Sequence, residues 1–321
     1  MIVFRDPAEI PAGFGPSVVA IGKFDGVHSG HRAVIDRARV TATDAGARVV
    51  AVTFDRNPLS LLRPELCPEA LVSVDQKIAL LRDAGVDAVL VLRFDEALAA
   101  LAPETFAERI LVDALGAVCV MVGADFRFGR GGAGTPEFLV EFGRGHGFTV
   151  DIVGDVQGGG RRVSSTWVRE LLAAGQVEDA ARLLGRPHAV RAEVVHGLKR
   201  GRELGYPTAN LATDAEGFIP ADGVYAGWLV DEGTDAGGYA PATRYAAAIS
   251  IGTNPTFDDV PVRQVEAYVL DETGLDLYGH IVQVQFVARV RGMVAFEGID
   301  KLIAQMDADV TDVRAALRSG G

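Results

Sequence analysis

Two rhythms of apolar and polar residues divide the chain near Pro187. Upstream, near-continuous apolar runs at 18–21, 49–54, 88–92, 117–122 and 148–153 read as strands covered on both faces. Helical patterns with clear end signals lie between them. Ser73 and Gln76 have the spacing of a capping box, Val74, Ile78 and Leu81 share one face, and Gly85 stands at a C-terminal stop. Pro103 suits a first helical position, with Phe106, Ile110 and Ala114 at helical spacing before Gly116. Strands alternating with helices predict right-handed βαβ units, hence an α/β, Rossmann-like domain with a parallel sheet over residues 1–186. Ligands of such sheets bind beyond the C-terminal strand ends.

Downstream the period drops to two. Val282, Val284, Phe286, Ala288 and Val290 alternate with Gln283, Gln285 and Arg289, as in a strand with one wet face. Further strands are expected at 190–195, 224–230, 245–250 and 264–270, with an exposed hairpin loop at 234–241. So many strands in so short a stretch suit an antiparallel barrel or sandwich. The expectation for residues 187–321 is an antiparallel β-barrel with a C-terminal helix. That helix carries one apolar stripe, Ile299, Leu302, Ile303, Met306, Val310, Val313 and Leu317, which should pack on the barrel.

Bulk properties narrow the function classes. At 321 residues the chain exceeds the commonest single-domain size, consistent with two domains. Its 43 acidic against 31 basic residues argue against coating nucleic acid, since phosphate backbones reward positive surfaces. With only Cys67 and Cys119, neither a disulfide framework nor a zinc site, which needs more ligands, is expected. The start lacks a basic segment followed by an apolar one, and no apolar run approaches the ~18 residues of a membrane span. A soluble, cytoplasmic chain is the expectation, with self-association left open.

The first candidate site follows the run at 18–21: Gly22-Lys-Phe-Asp-Gly-Val-His-Ser-Gly-His31. Gly22, Gly26 and Gly30 would let the backbone turn sharply and approach a ligand closely. Residues from about 30 to 44 read as a helix, whose first turn carries unpaired N–H groups and a positive dipole end. Strand, glycine-rich turn and helix N-terminus together make a phosphate site. There His28 and His31 can donate hydrogen bonds to charge developing on a phosphoryl oxygen. The plainer alternative is a strand–turn–helix whose histidines are merely solvated. A second candidate is Val163-Ser-Ser-Thr-Trp-Val-Arg169. Ser164 or Ser165 can be a simple N-cap for the helical pattern at 167–174. Alternatively Ser164, Ser165 and Thr166, with Arg161, Arg162 and Arg169, neutralise a departing pyrophosphate, and the glycines at 158–160 let the segment close over ATP. A third, at 123–129 followed by Gly131, Gly132 and Gly134, is either an ordinary βα connection or a ligand loop, and its glycine content favours the ligand.

These three segments resemble the motifs of the bacterial FMN adenylyltransferase module, within the H-x-G-H nucleotidyltransferase superfamily. The resemblance implies attack of the FMN phosphate on the α-phosphorus of ATP, giving FAD and pyrophosphate. It implies roles in catalysis for His28, His31 and Arg161, with Mg²⁺ on the phosphates. It also implies nucleotide contacts from Gly22, Phe24, Asp25, Gly26, Asp125, Ser164, Ser165, Thr166 and Arg169. An anionic phosphate needs no strong general base, and none is evident here. The chain departs from the family at Lys23, often Asn, and at Phe54-Asp-Arg-Asn-Pro58, a loose match to Phe-x-Pro-x-Pro.

In the second half the sharpest signal is Gly201-Arg-Glu-Leu-Gly-Tyr-Pro-Thr-Ala-Asn210. Pro207 fixes the backbone before Thr208, and Thr208 and Asn210 offer the hard oxygen ligands that Mg²⁺ prefers. Upstream, 196–202 is basic and glycine-jointed, suited to a flap over nucleotide phosphates. Alone, Pro-Thr-Ala-Asn is an unremarkable turn. On the strand at 264–270, Val265, Ala267 and Val269 share one face while Glu266 and Tyr268 share the other. Glu266 is then either surface decoration or the general base of a hydroxyl-to-phosphate transfer.

Residues 201–210, Gly223-Val-Tyr-Ala226, Ile251-Gly-Thr-Asn-Pro-Thr-Phe257, Val265-Glu266 and Asp276-Leu-Tyr-Gly279 resemble the riboflavin kinase module, with Ser250 where the family often has Asn. The resemblance implies that Thr208 and Asn210 hold Mg²⁺ and ATP phosphates, and that Glu266 deprotonates the ribityl 5′-hydroxyl. Gly197, Lys199, Arg202 and Gly205 would contact the nucleotide. The order of modules is that of the bifunctional bacterial riboflavin kinase/FAD synthetase family, whose expected partners are riboflavin, FMN and ATP, with no nucleic acid and no membrane. Two other readings stand beside it. One is a nucleotidyltransferase for a pantetheine phosphate with an unrelated barrel. The other is a flavin-binding regulator without catalysis, against which the intact His28, His31, Thr208, Asn210 and Glu266 speak.

Overall fold

The computed structural model has six parallel strands in its N-terminal half: β1 (Ile2–Phe4), β2 (Ser17–Ile21), β3 (Arg48–Phe54), β4 (Ala88–Leu92), β5 (Ala117–Gly123) and β6 (Thr149–Val153). The structure describes residues 1–197, 206–234, 242–254, 262–272 and 274–319. The apolar runs become strands because both sheet faces are covered, and every residue of β2 and β4 is buried. Val19, Ile21, Val50 and Val52 enter one core, and Val18, Ala20, Val49 and Ala51 the other. β1 escapes pattern reading, being three residues long at the sheet edge with Ile2 and Val3 exposed.

Helices α1 (Ser29–Ala45), α2 (Leu59–Leu62), α3 (Val74–Asp83), α4 (Glu96–Ala99), α5 (Pro103–Phe106) and α6 (Pro136–His146) join these strands. At α3 the capping box is complete: the Gln76 N–H donates to Ser73 Oγ at 3.2 Å, and the Ser73 N–H to Gln76 Oε1 at 2.9 Å. α5 begins at Pro103 as expected but continues through Ala107–Ala114 as a wider π-type helix, where the Leu115 N–H reaches back to Ile110 O. The strand order is β1-β4-β3-β2-β5-β6. β2 therefore has β3 on one side and β5 on the other, and the loops leaving β2 and β5 flank a topological switch point. A small hairpin, β7 (Gln157–Gly158) and β8 (Arg161–Arg162), follows β6.

The chain forms two compact units, Met1–Ser165 and Thr166–Gly321. The second contains most of α7 (Ser165–Ala173), all of α8 (Val177–Leu184), and a closed barrel in the order β10-β13-β12-β11-β14-β9. Its strands are β9 (His188–Val195), β10 (Thr208–Leu211), β11 (Gly223–Asp231), β12 (Thr243–Asn254), β13 (Val262–Val269) and β14 (Ile281–Arg291), all antiparallel. Closure gives each described barrel strand a partner on both sides. Arg289 ties α7 and α8 to the barrel: its N–H donates to Glu178 Oε1 at 3.0 Å, and its guanidinium to Ala174 O at 3.1 Å and Asp222 O at 2.9 Å. The last helix, α9 (Ile299–Ser319), packs on the barrel through Val310, Val313 and Leu317 of the expected stripe, whereas Ile299 at its first residue is exposed, contrary to expectation. Arg291 pins the helix by gripping the buried Asp309 carboxylate at 2.8 and 2.7 Å.

Two expectations need correction here. Val282, Val284 and Phe286 are buried in a row, but the register with β11 slips between Ala226 and Gly227, which pair with Ala288 and Phe286. Val287 is the extra residue, and beyond this bulge Ala288 and Val290 join the cluster under α9 around Val313. Pro-Thr-Ala-Asn is not a turn, because Thr208 and Asn210 lie on β10 and pair with β13. Most of the loop expected at 234–241 lies outside the described residues.

Candidate active sites

The loop at 22–31 leaves β2 beside the switch point and runs into α1. Phe24 (φ 49°) and Val27 (φ 40°) are both left-handed. For a β-branched residue such a φ is a genuine outlier, costing about 1–3 kcal/mol and tolerated where the surroundings over-determine it. Here both side chains are fully buried in the core under α1. Gly22 and Gly30 have no positive φ; they give room rather than a turn, contrary to expectation. A Cβ on Gly22 would lie 3.3 Å from the Phe24 ring, and one on Gly30 3.1 Å from the His28 ring.

His28 is the N-cap residue of α1 and His31 lies in its first turn, so both side chains start from the end of the helix where backbone N–H groups have no intrahelical acceptor, although His28 makes no side-chain cap hydrogen bond. The two rings stack with centroids 3.8 Å apart, and Phe24 meets His31 edge-on at 5.2 Å. His28 is 6% exposed, which rules out the merely solvated alternative. Burial, then the neighbouring His28, Lys77 and Arg162, hold His31 well below the usual imidazole range. His31 is thus neutral near pH 7, with one ring donor and one acceptor. Its buried Nδ1 has no hydrogen-bond partner among the described residues.

Within the first unit the expected segments converge on this loop. Ser165 Oγ donates to Asp25 O at 2.8 Å, and the Asp25 carboxylate accepts the Leu71 N–H at 2.9 Å. Ser165 thus opens α7 while binding the loop rather than capping the helix; Ser164 precedes it. Asp125, on the loop after β5, pairs with Arg162 at 2.9 Å, and Arg162 also reaches Asp155 at 2.9 Å. The Arg162 hydrogen bond holds the Asp125 carboxyl below its usual range. Gly159 and Gly160, with φ of 55° and 84°, form the two-residue turn of the β7–β8 hairpin, whose second strand carries Arg161 and Arg162, both exposed. Gly134 makes room for the Phe128 ring, so at least one glycine of the third loop serves packing. Thr166 and Arg169 sit on α7, in the second unit.

The barrel carries a separate polar cluster. Asn210 on β10 pairs directly with Glu266 on β13, and Thr208 with Tyr268, which puts all four side chains on one face. Thr208 Oγ1 donates to Glu266 Oε2 at 3.2 Å, and Asn210 Nδ2 lies 3.3 Å from both Thr208 O and Thr208 Oγ1. A Cβ on Gly197 would run into the Asn210 amide, so this glycine clears the space Asn210 occupies. Val265, Ala267 and Val269 are buried on the opposite face, as the alternation predicts. Glu266 is half-buried and hydrogen-bonded, not surface decoration.

A family model described as FAD synthetase matches residues 11–167, and one described as riboflavin kinase matches residues 184–317. A bifunctional riboflavin kinase/FMN adenylyltransferase of Pseudomonas fluorescens is 38% identical over 298 residues, covering 93% of this chain and 92% of its own. The chain belongs to the bifunctional riboflavin kinase/FMN adenylyltransferase family. The Escherichia coli K12 member is 36% identical over 297 residues, covering 92% of this chain and 91% of its own. A Streptococcus pneumoniae crystal structure described as a macrolide-efflux protein superposes with a TM-score of 0.85 at 31% identity, covering 98% of both chains. No helix among the described residues is long and apolar enough to cross a membrane.

Against the bifunctional family's pattern, the 22–31 loop, Asp125, Ser165, Gly197, Thr208, Asn210 and Glu266 fall into the two clusters above. Lys199, Arg202 and Gly205 lie outside the described residues, as do residues 255–257. The pattern reading passed over Lys77. It falls on the apolar stripe of α3 with Val74, Ile78 and Leu81, and a charged residue in a buried stripe is the signal that could have found it. Lys77 is 8% exposed, and Nζ donates to Phe54 O at 2.8 Å and Lys23 O at 3.3 Å. Burial outweighs the pull of Asp25 and Asp55 and brings its pKa down to about 8.

Proposed function

We propose that residues 187–321 phosphorylate riboflavin with Glu266 as general base, and that residues 1–186 adenylylate the resulting FMN through the His28–His31 loop. Family membership supports the pair of activities, and the observation that carries the residue roles is the occurrence of two polar clusters in separate compact units. In the barrel, Glu266 takes the proton of the ribityl 5′-hydroxyl as that oxygen attacks the γ-phosphorus of ATP, and ADP leaves. The Thr208 hydrogen bond fixes one carboxylate oxygen and leaves the other for substrate.

Mg²⁺ suits this cluster: a hydroxyl, an amide and a carboxylate crowd together, and Thr208 and Asn210 would hold it with few protein ligands. Bound there, it would supply charge neutralisation to the ATP phosphates. In the sheet unit, an FMN phosphate oxygen attacks the α-phosphorus of ATP and pyrophosphate leaves. The α1 N–H groups and the imidazoles of His28 and His31 donate to the charged phosphoryl oxygens, with Arg161 toward the leaving group. Incubation with riboflavin, ATP and Mg²⁺ tests the reading. FMN should rise and then yield to FAD; if neither appears, the proposal fails.

A further inference from the structure

Lys77 is a buried ammonium with no carboxylate at ion-pair distance among the described residues; Asp25 and Asp55 act on it only from farther away. A leucine or methionine would fill the same place between α3 and the sheet without desolvating a charge. What the lysine does there is visible in its hydrogen bonds. Nζ joins Phe54 O, at the end of β3, to Lys23 O, inside the 22–31 loop. Thr53 Oγ1 donates to the same Lys23 O at 3.1 Å, so two donors grip one carbonyl. That carbonyl belongs to the peptide leading into left-handed Phe24, whose ring rests on Gly22 and meets His31 edge-on.

We propose that Lys77 is a positioning residue for adenylyl transfer: with Thr53 it locks the Lys23–Phe24 peptide and, through the Phe24 ring, holds His31 stacked on His28. The proposal rests on the assignment of adenylyl transfer to this unit, and the parent chain's own FAD formation checks that assignment separately. Lys77 touches no reacting atom in this scheme. Its loss is felt as a misplaced imidazole.

The test uses the full chain and FAD formation from supplied FMN and ATP. Lys77→Met should lower kcat by roughly 10²-fold, the scale of an ångström-sized misplacement. The KM for ATP and the rate of riboflavin phosphorylation should hold near the parent's. Lys77→Gln, whose amide restores a donor, should recover most of the loss, which a purely space-filling role would not produce. Thr53→Val should give a smaller loss of the same kind, and the double variant should lose less than the product of the two, because both donors serve one carbonyl. Parental kcat in Lys77→Met overturns the proposal. So does an equal loss in Lys77→Met and Lys77→Gln, which would make charge rather than hydrogen bonding the working element. If Lys77→Met does not fold, Thr53→Val decides alone: a lowered kcat supports the clamp and an unchanged one overturns it.

Discussion

The sheet unit and the barrel unit handle the same triphosphate with opposite equipment. Around the 22–31 loop the groups on offer are imidazoles and helix N–H groups, and the nearby acids are engaged, Asp25 with the Leu71 N–H and Asp125 with Arg162. The barrel instead presents a carboxylate, Glu266, fixed by a hydroxyl and set beside an amide. Under the proposed assignment the nucleophile explains the contrast. A phosphate arrives already anionic and needs donors around the charge it shares, whereas an alcohol needs an acceptor for its proton. On the roles proposed above, the kind of side chain assembled in each unit follows from the charge of the attacking group.

The sharpest way to break this contrast is Glu266→Gln. Riboflavin phosphorylation should fall by roughly 10³-fold, within the range of a lost general base, while FAD formation from supplied FMN holds. Simultaneous loss of both activities in a folded variant would dissolve the division of labour.

Acid probes the units next. Burial pushes the His188 imidazole down to about 4 from 6.5, its Nε2 bonded to Phe218 O at 2.7 Å. Between those values the unfolded chain binds the extra proton, so stability present above pH 6.5 drains away as the pH falls toward 4, by about 3 kcal/mol at most. Chemical unfolding of the barrel unit at pH 7 and pH 4.5 should show that loss in the parent and a shallower one in His188→Gln. His31 in the sheet unit is also held low, but anionic phosphates beside it would raise it again. ATP should therefore blunt the acid sensitivity of the sheet unit and leave the share due to His188 untouched.

A smaller loss should follow His28→Ala or His31→Ala, about 2 kcal/mol of transition-state stabilisation, read as kcat/KM for FAD formation with phosphorylation unaffected. Near-parental FAD synthesis in both variants would remove the imidazoles from the mechanism. Least of all, Ser73→Ala should cost about 1 kcal/mol of stability by opening the α3 capping box, seen as a lower denaturant midpoint for the sheet unit.

Much of this was legible in the residues, and the exceptions share a cause. Long apolar runs, the Ser73–Gln76 box and the apolar stripe of α9 follow from periodicity, which survives wherever an element is longer than its repeat. β1, β7, β8 and β10 are two to four residues long, too short to show a period, and β10 hides inside a sequence that reads as a turn. The bulge at Val287 is set by pairing with β11, a partner some 60 residues away in the chain, and leaves no local trace. Residue types named both clusters, but the hydrogen bond from Thr208 to Glu266 and the grip of Lys77 on Lys23 O depend on strands and helices brought together by folding.

The space above Gly30 has a consequence for how the H-x-G-H signature should be understood. The residue is helical and strains nothing, so its identity is decided by the imidazole overhead, 3.1 Å from where a methyl would project. Randomising that single codon and selecting for flavin-dependent growth should return glycine overwhelmingly, with alanine the nearest survivor, although alanine is the better helix former. The signature's middle letter is then a parking place for a ring, and tolerance at that codon becomes a ruler for how far His28 can shift and still work.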